Sequence, residues 1–438
     1  MQMRACISYF LIFINCLNFC VTISYDNYTL YRGIPVNDSH LNFFKNLSEK
    51  YEVNFWRDPG SMNVPVDFVI APKDKPTFLK EADEYGIYLT TIIEDLQKAF
   101  DTQTIGTYIR RQMTSFDWRD FYRLDSIYDW LIDLAAGFPD EMKVMSIGKT
   151  YEGRDILAVK IRLKGSARRS KVIVEGGIHA REWISPAFVT YLIYNILHAK
   201  VLNRPNLTKI AMSYEWFIVP VMNPDGYEYT FAKDRMWRKN RHRFGKSYGV
   251  DLNRNFDIAF GGIGVSKVRH DDIFCGDSAF SERETIAMGK LVRDNSAKLE
   301  YYLAFHSYGQ FMIIPYANLK THKDNYGEVR EMCREAKEKI EAEYGTKYTY
   351  GTAYDTVGYQ TSGVSGCWVK KEFRVPYVVT FELRDNGRYG FALPPKQIRP
   401  TCVETLAGVL SAILLSLLLR YPYKWVGLMI LCIQTCHH

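Results

Sequence analysis

A strand at 171–175, carrying the apolar run Val172, Ile173 and Val174, leads directly into GGIHAREWISP (176–186), and a helix follows on which Phe188, Leu192, Ile193 and Ile196 recur at helical spacing. A strand that passes through a short loop into a helix with one apolar face commits this stretch to a layered α/β arrangement. Ser185 and Pro186 suit the N-cap and first position of that helix. The loop holds His179 and Glu182, three residues apart. Imidazole and carboxylate are both zinc ligands, and a catalytic zinc takes three protein ligands with a fourth position left for water. Two are in view, so a third has to come from elsewhere. The spacing alone says little, because His and Glu three apart are common in solvated loops.

Other segments alternate in the same way. Residues 124–136 read as a helix with Ile127, Trp130 and Leu134 on its inner face, and 144–147 and 156–161 as strands on either side of a turn at 151–154. Residues 215–221 form a further strand, ended by a turn at Asn223-Pro224-Asp225-Gly226. The expectation is an α/β domain with a mixed, largely parallel twisted sheet flanked by helices. Ahead of it, residues 25–103 interleave short strands (53–56 and 66–71) with helix-like segments (42–52, 76–85 and 90–100), the pattern of a small α+β sandwich. Between the units, Arg110 and Arg111 form a dibasic step where a trypsin-like protease could cut; a helical linker with two solvated arginines is the plainer alternative.

Two later strand ends carry what a metal site lacks. Residues 301–305 (YYLAF) run into His306, and 377–381 (YVVTF) run into Glu382. In open α/β sheets ligands bind outside the carboxyl ends of the strands. His179, Glu182 and His306 would then complete a His₂Glu zinc site, with Glu382 as candidate general base. Basic residues gather in the connecting loops: Arg235, Arg238, Lys239 and Arg241 near Trp237, and Arg254 beside Asn253 in GVDLNRNF. The planar fork of an arginine suits both oxygens of a carboxylate, which points to an anionic substrate end.

At 438 residues the chain has room for two or three units. Its net charge of +7 is spread without a block of like charges, so nucleic acid is not an expected partner. Arg4 followed by the apolar stretch 5–23 reads as a secretory signal peptide, which sends the protein to the extracellular space. Sequons at Asn27, Asn37, Asn46 and Asn206 are compatible with that route. Of nine cysteines, Cys275, Cys333, Cys367 and Cys402 lie in the body; three complete pairings, or free thiols, remain open. The apolar pieces at the carboxyl end, 406–419 and 425–433, fall short of the roughly 20 residues that span a bilayer, so no membrane association is expected.

Taken together, these residues make the chain, from about 54 to 409, resemble the secreted zinc carboxypeptidases of the pancreatic carboxypeptidase A/B type. NFWRDPG and IIEDLQ resemble that family's inhibitory propeptide and GGIHAREWISPA its first zinc motif. DRMWRKNR is similar to its oxyanion arginine loop, GVDLNRNFD to its carboxylate-binding loop and AFHSYGQ to its third-ligand segment. GYQTSG is similar to its mobile tyrosine loop and TFELRDNGRYGF to its catalytic glutamate segment. The resemblance implies a signal peptide (1–24), an inhibitory propeptide (25–111), a catalytic domain (112–420) whose closing helix docks on the sheet, and an apolar tail (421–438). It implies one Zn²⁺ held by His179, Glu182 and His306, with Glu382 as general base and later acid and Arg238 stabilising the oxyanion. Asn253, Arg254 and Tyr359 would grip the terminal carboxylate of a peptide or protein substrate, Arg181 and Tyr308 would line the adjoining subsite, and a trypsin-like protease would activate the zymogen.

In that family the position seven residues after the mobile tyrosine helps set side-chain preference. Here it is Gly366, which brings no charge, so neutral apolar or aromatic carboxyl-terminal residues are expected. The chain departs from the family pattern at Ser247, where a disulfide cysteine is expected, at Val364, in place of a glycine, and at Cys367, in place of an acidic residue. Two other functions fit the same fold: a non-catalytic zinc- or peptide-binding protein, and a hydrolase of another amide or ester. The first requires a lost ligand, base or arginine, and none is lost; the intact carboxylate grip disfavours the second.

Overall fold

The computed structural model describes residues 22–165 and 170–420; the expected signal sequence up to residue 21 and the tail 421–438 lie outside the described residues. The amino-terminal unit runs β1 (Thr29–Gly33), α1 (Asp38–Lys45), β2 (Val53–Arg57), β3 (Val66–Ile70), α2 (Lys75–Glu84) and β4 (Leu89–Ile93), followed by α3 (Leu96–Asp101). Its strands lie in the order β2-β3-β1-β4, all antiparallel, which is the split β-α-β arrangement of ferredoxin-like sandwiches. Phe44, Phe68 and Phe78 fill its core. Two helix expectations need correction. The helix expected over 42–52 starts earlier, where the Asn37 side chain accepts the His40 N–H at 2.9 Å, and breaks at Asn46. The segment 90–100 splits: β-branched Thr90, Thr91, Ile92 and Ile93 belong to β4, and Asp95 caps α3 by accepting the Lys98 N–H.

The larger unit contains α4 (Leu124–Gly137), β5 (Met142–Lys149), β6 (Asp155–Ile161), β7 (Ser170–Gly176), α5 (Ile184–Leu197), β8 (Tyr214–Val219), α6 (Pro224–Ala232) and α7 (Arg283–Asn295). It continues with β9 (Leu299–Ser307), β10 (Phe311–Ile313), α8 (Tyr326–Tyr344), β11 (Thr349–Gly351), α9 (Ser365–Phe373), β12 (Tyr377–Leu383) and α10 (Ile398–Arg420). The sheet order is β11-β10-β12-β9-β7-β8-β6-β5. Its central strands β12, β9, β7 and β8 run parallel, and antiparallel neighbours flank them, so the sheet is mixed as expected. Strand periodicity sorts the two faces. Val172, Val174, Leu303 and Phe305 pack with α5, α8 and α10, while Ile173, Tyr302 and Ala304 pack with α7 and α9.

Local details differ from expectation for physical reasons. Ser185 lies inside α5 and does not cap it; its hydroxyl accepts the Gly177 N–H at 2.9 Å and donates to the Phe305 carbonyl, tying the loop to β9. Asn223 begins a helix, its side chain accepting the Gly226 N–H at 3.0 Å, where a plain turn was expected. The closing helix starts before Pro400, because a proline in the first helical turn gives up no hydrogen bond. Among the described residues this region is the one helical stretch long and apolar enough to cross a membrane, and just over half of its apolar window is buried, with Cys402, Leu406 and Ile413 in the core.

The loop carrying Arg238 is fixed by one amide. Asn240 donates to Glu282 at 2.8 Å and to Glu284 at 3.0 Å, and its oxygen accepts the Val250 N–H at 2.8 Å. Burial, opposed by the Asn240 bond and reinforced by the nearby Glu282, pushes Glu284 up to about 8. The folded state therefore keeps this proton through a range in which the unfolded chain, with a carboxyl near pKa 4.3, has lost it, and stability falls as pH rises from about 4.3 to 8. Thermal melts between pH 5 and 8 should show a smaller loss of Tm for Glu284→Gln than for the parent; parallel curves would refute the assignment.

Candidate active site

The site forms at the carboxyl ends of β7, β9 and β12. Parallel pairing sets Ala304 opposite Glu175 between β9 and β7, and His306 opposite Glu382 between β9 and β12. After β7 the chain turns at Gly177, whose φ of +63° and close approach to Val221 Cα, 3.0 Å from where a Cβ would stand, leave room only for glycine. The loop then delivers His179 and Glu182. His179 Nδ1 lies 2.7 Å from Glu182 Oε1, and His306 Nδ1 lies 3.2 Å from both His179 Nδ1 and Glu182 Oε2. All three side chains are buried, and one ligand atom from each falls within 4.8 Å of the others. Two imidazole nitrogens and a carboxylate converging on one buried point suit an open tetrahedral zinc site.

Supporting contacts orient these groups. His179 Nε2 lies 3.2 Å from Asp251 Oδ1, while Asp251 Oδ2 accepts from Arg238 Nε at 3.0 Å and Nη2 at 2.8 Å. Burial opposes the Asp251 charge, but Arg238, Arg254 and His179 outweigh it and hold the carboxyl well below its ordinary range. For Glu182 burial is likewise overcome, by His179 and His306. Glu382 goes the other way: burial, with the repulsion of Glu182, outweighs the attraction of His306 and Arg238 and pushes it up to about 8.

Next to this cluster, Arg254 Nη1 donates to the Asn253 carbonyl at 2.9 Å and Nε to the Gly264 carbonyl at 3.1 Å, and Asn253 Oδ1 accepts the Ser365 N–H at 3.0 Å. Gly363 crosses Arg254 so closely that a Cβ would stand 2.0 Å from the Arg254 carbonyl oxygen. Burial and the charge of Asp58 push the Tyr359 phenol up to about 12, against Arg254 and Arg238. At Gly366 a Cβ would meet Val378 at 3.1 Å and Thr380 at 3.6 Å. Cys367 accepts the Ala317 N–H through its sulfur at 3.2 Å, and all four cysteines of the body are free and buried.

The amino-terminal unit covers the site. Arg181 Nη1 donates to Asn54 Oδ1 at 2.9 Å and Nη2 to the Phe55 carbonyl at 3.1 Å, both from β2. Tyr308 donates its hydroxyl to Asp67 at 2.8 Å, and Asp67 also takes a two-point bond from Arg32 at 2.6 and 2.7 Å. Leu30, Trp56, Val69 and Phe100 pack against Met236, Tyr308 and Phe391. Asp58 faces the positive field of Arg238, Arg254 and Arg181.

Residues 127–408 match the family described as zinc carboxypeptidase, and residues 31–103 match carboxypeptidase activation peptide. This chain belongs to the zinc carboxypeptidases. The enzyme is 35% identical over 391 residues to zinc carboxypeptidase A 1 of Anopheles gambiae, an alignment covering 88% of this chain and 89% of that protein. It is 32% identical over 398 residues to carboxypeptidase B of Rattus norvegicus, covering 88% and 92%. Its fold superposes on the crystal structure of thrombin activatable fibrinolysis inhibitor with a TM-score of 0.82 at 29% identity, covering 89% of this chain and 98% of that one. Zinc is thus this metallocarboxypeptidase's cofactor, and the His179–Glu182–His306 cluster fits it.

His179, Glu182 and His306 converge, Glu382 pairs beside His306, and Arg238 is joined to His179 through Asp251; Asp251, Asp58, Asp67 and Glu175 are residues that sequence reasoning did not single out. Asp251 was within reach, since it lies two residues before Asn253; the others become visible only when strands and units pack. Zinc content measured by mass spectrometry should fall to background in His306→Ala zymogen, while the parent holds about one zinc per chain; stoichiometric zinc in the variant would remove His306 from the ligand set.

Proposed function

We propose that this zinc carboxypeptidase is made as a secreted zymogen and, once cut near Arg110 or Arg111, hydrolyses the last peptide bond of peptides and proteins whose carboxyl-terminal residue is neutral and apolar or aromatic. The observation that carries this reading is the side-by-side register of His306 and Glu382 next to the buried Arg254 and the partly buried Arg238. Bound zinc would polarise the scissile carbonyl and make its water acidic near neutral pH. Glu382 accepts a proton from the attacking water and passes it to the leaving amine. Arg238, held by Asp251, meets the negative oxygen that develops on the scissile carbonyl, a contribution of about 3 kcal/mol for a well-placed donor. Asn253, Arg254 and Tyr359 receive the terminal carboxylate, and Arg181 and Tyr308 the residues before it. An internal peptide bond offers no such carboxylate, which restricts the reaction to chain ends. Gly366 leaves its stretch of pocket wall as bare backbone beside Val378 and Thr380, without a charge.

The zymogen reading rests on the covered site and on the connector. Arg110 and Arg111 are exposed in a turn closed by the bond from Gln112 N–H to the Ile109 carbonyl, and Arg110 is held by Asp129 and Asp133 at 3.4 Å each. Cleavage there would separate a propeptide of 25–111 from a catalytic domain of 112–420. Export is supported by the sequons, since Asn27, Asn37, Asn46 and Asn206 are all exposed.

After trypsin activation, Glu382→Gln should lower kcat by about 10²–10⁴-fold while zinc content is unchanged; near-parental turnover would remove Glu382 from the mechanism. A panel of peptides differing only in the last residue should rank Phe and Leu above Lys and Arg in kcat/KM, and the reverse order would overturn the proposed preference.

A further inference from the structure

His306 presents its Nδ1 to the ligand cluster, so its proton belongs on Nε2, and that atom is buried and makes no hydrogen bond among the described residues. The acceptor facing it is Glu175 Oε1, 3.9 Å away, equally buried and equally without a hydrogen bond. The other oxygen, Glu175 Oε2, accepts from the Tyr302 hydroxyl, which fixes the carboxyl group's orientation. His179 shows the completed version of the same arrangement, with Nδ1 toward the cluster and Nε2 at 3.2 Å from the Asp251 carboxylate. A ligating histidine whose second nitrogen is anchored to a carboxylate has its ring plane and tautomer set before metal arrives. A separation of 3.9 Å closes to hydrogen-bond length with a shift of about 1 Å.

We propose that Glu175 is the positioning residue of His306, setting its tautomer and ring orientation for zinc as Asp251 does for His179. The pairing is written into the sheet. Glu175 lies opposite Ala304, and His306 and Ala304 point to the same face two residues apart on β9, so the carboxyl group of β7 stands beneath the imidazole of β9. Tyr302, two residues further back on that face, completes a column of Tyr302, Glu175 and His306. Tyr302 also borders the position of Gly366, 4.0 Å from where a Cβ would stand, so the column joins the proposed side-chain pocket to the metal ligand.

The inference rests on His306 being a ligand, and the experiment separates the two. In the full-length zymogen, competition with a chromogenic chelator should show Glu175→Gln releasing zinc about 10–100-fold more readily than the parent, and the visible spectrum of the cobalt-substituted variant should shift. Glu175→Asp, which keeps the carboxylate but shortens it, should fall between the two. Tyr302→Phe, which removes the hydroxyl that orients the Glu175 carboxyl group but keeps the carboxyl group itself, should weaken zinc binding less than Glu175→Gln does. Parental affinity and an unshifted cobalt spectrum in Glu175→Gln overturn the proposal. If Glu175→Gln does not fold, parental affinity in Glu175→Asp overturns it. Zinc retained by His306→Ala would instead sink the ligand assignment itself.

Discussion

The pairing of β9 with β12 is the constraint on which the rest of the site depends. A slip of one residue would turn His306 into the apolar face and bring Phe305 to the site, because side chains alternate along a strand. The opposite face holds the register. Tyr301 stacks on Tyr377 at 4.9 Å between centroids and Phe305 on Phe381 at 5.1 Å, two aromatic pairs between the same strands that place His306 beside Glu382. Each such pair contributes about 0.5–1.5 kcal/mol beyond the area it buries, and every slipped register loses both. The catalytic geometry on one face is thus secured by apolar packing on the other.

Asp251 does for the charges what those aromatic pairs do for the backbone. It is fully buried, and it accepts from Arg238 through two nitrogens, from the Asn253 N–H at 3.0 Å, and meets His179 at 3.2 Å. A buried carboxylate is costly unless its oxygens are occupied, and here they are. The consequence is mutual order: the group that fixes the imidazole of His179 also fixes the guanidinium of Arg238. These two proposed functions cannot drift apart without leaving a charge unpaired.

Most of this was legible in sequence where the signal was periodic or local. The strands ending at His306 and Glu382 were apparent because apolar runs end abruptly at a polar residue, and the paired basic loops because arginines cluster. Less legible were features that depend on tertiary partners. Thr90 to Ile93 read as the start of a helix when taken with the helical pattern after them, yet pairing with β1 decides for a strand. Ser185 has the sequence of a cap, but a carbonyl on β9 claims its hydroxyl. Glu175 looked like the last residue of a strand, and only the neighbouring strand shows what its carboxyl group faces.

The cover over the site raises a question that magnitudes decide. Asp58 stands in the field of three guanidiniums, and an electrostatic clamp is the obvious explanation for how the amino-terminal unit stays in place. Yet burial outweighs those attractions, and the Asp58 carboxyl is pushed up, not down. Burial thus works against its charge in the closed form. The apolar contacts of Leu30, Trp56, Val69 and Phe100 remain, each large side chain stabilising the closed form by about 1.5–3 kcal/mol when fully buried. Beside these stand the bonds from Arg181 to Asn54 and to the Phe55 carbonyl and from Tyr308 to Asp67, so apolar and polar contacts share in holding the cover. The connector is different, because it makes the contact intramolecular and keeps the cover at a high effective concentration. Under the proposed activation, a cut at Arg110 or Arg111 would leave the packing contacts of the cover in place and remove only the tether, so that dilution could act on them.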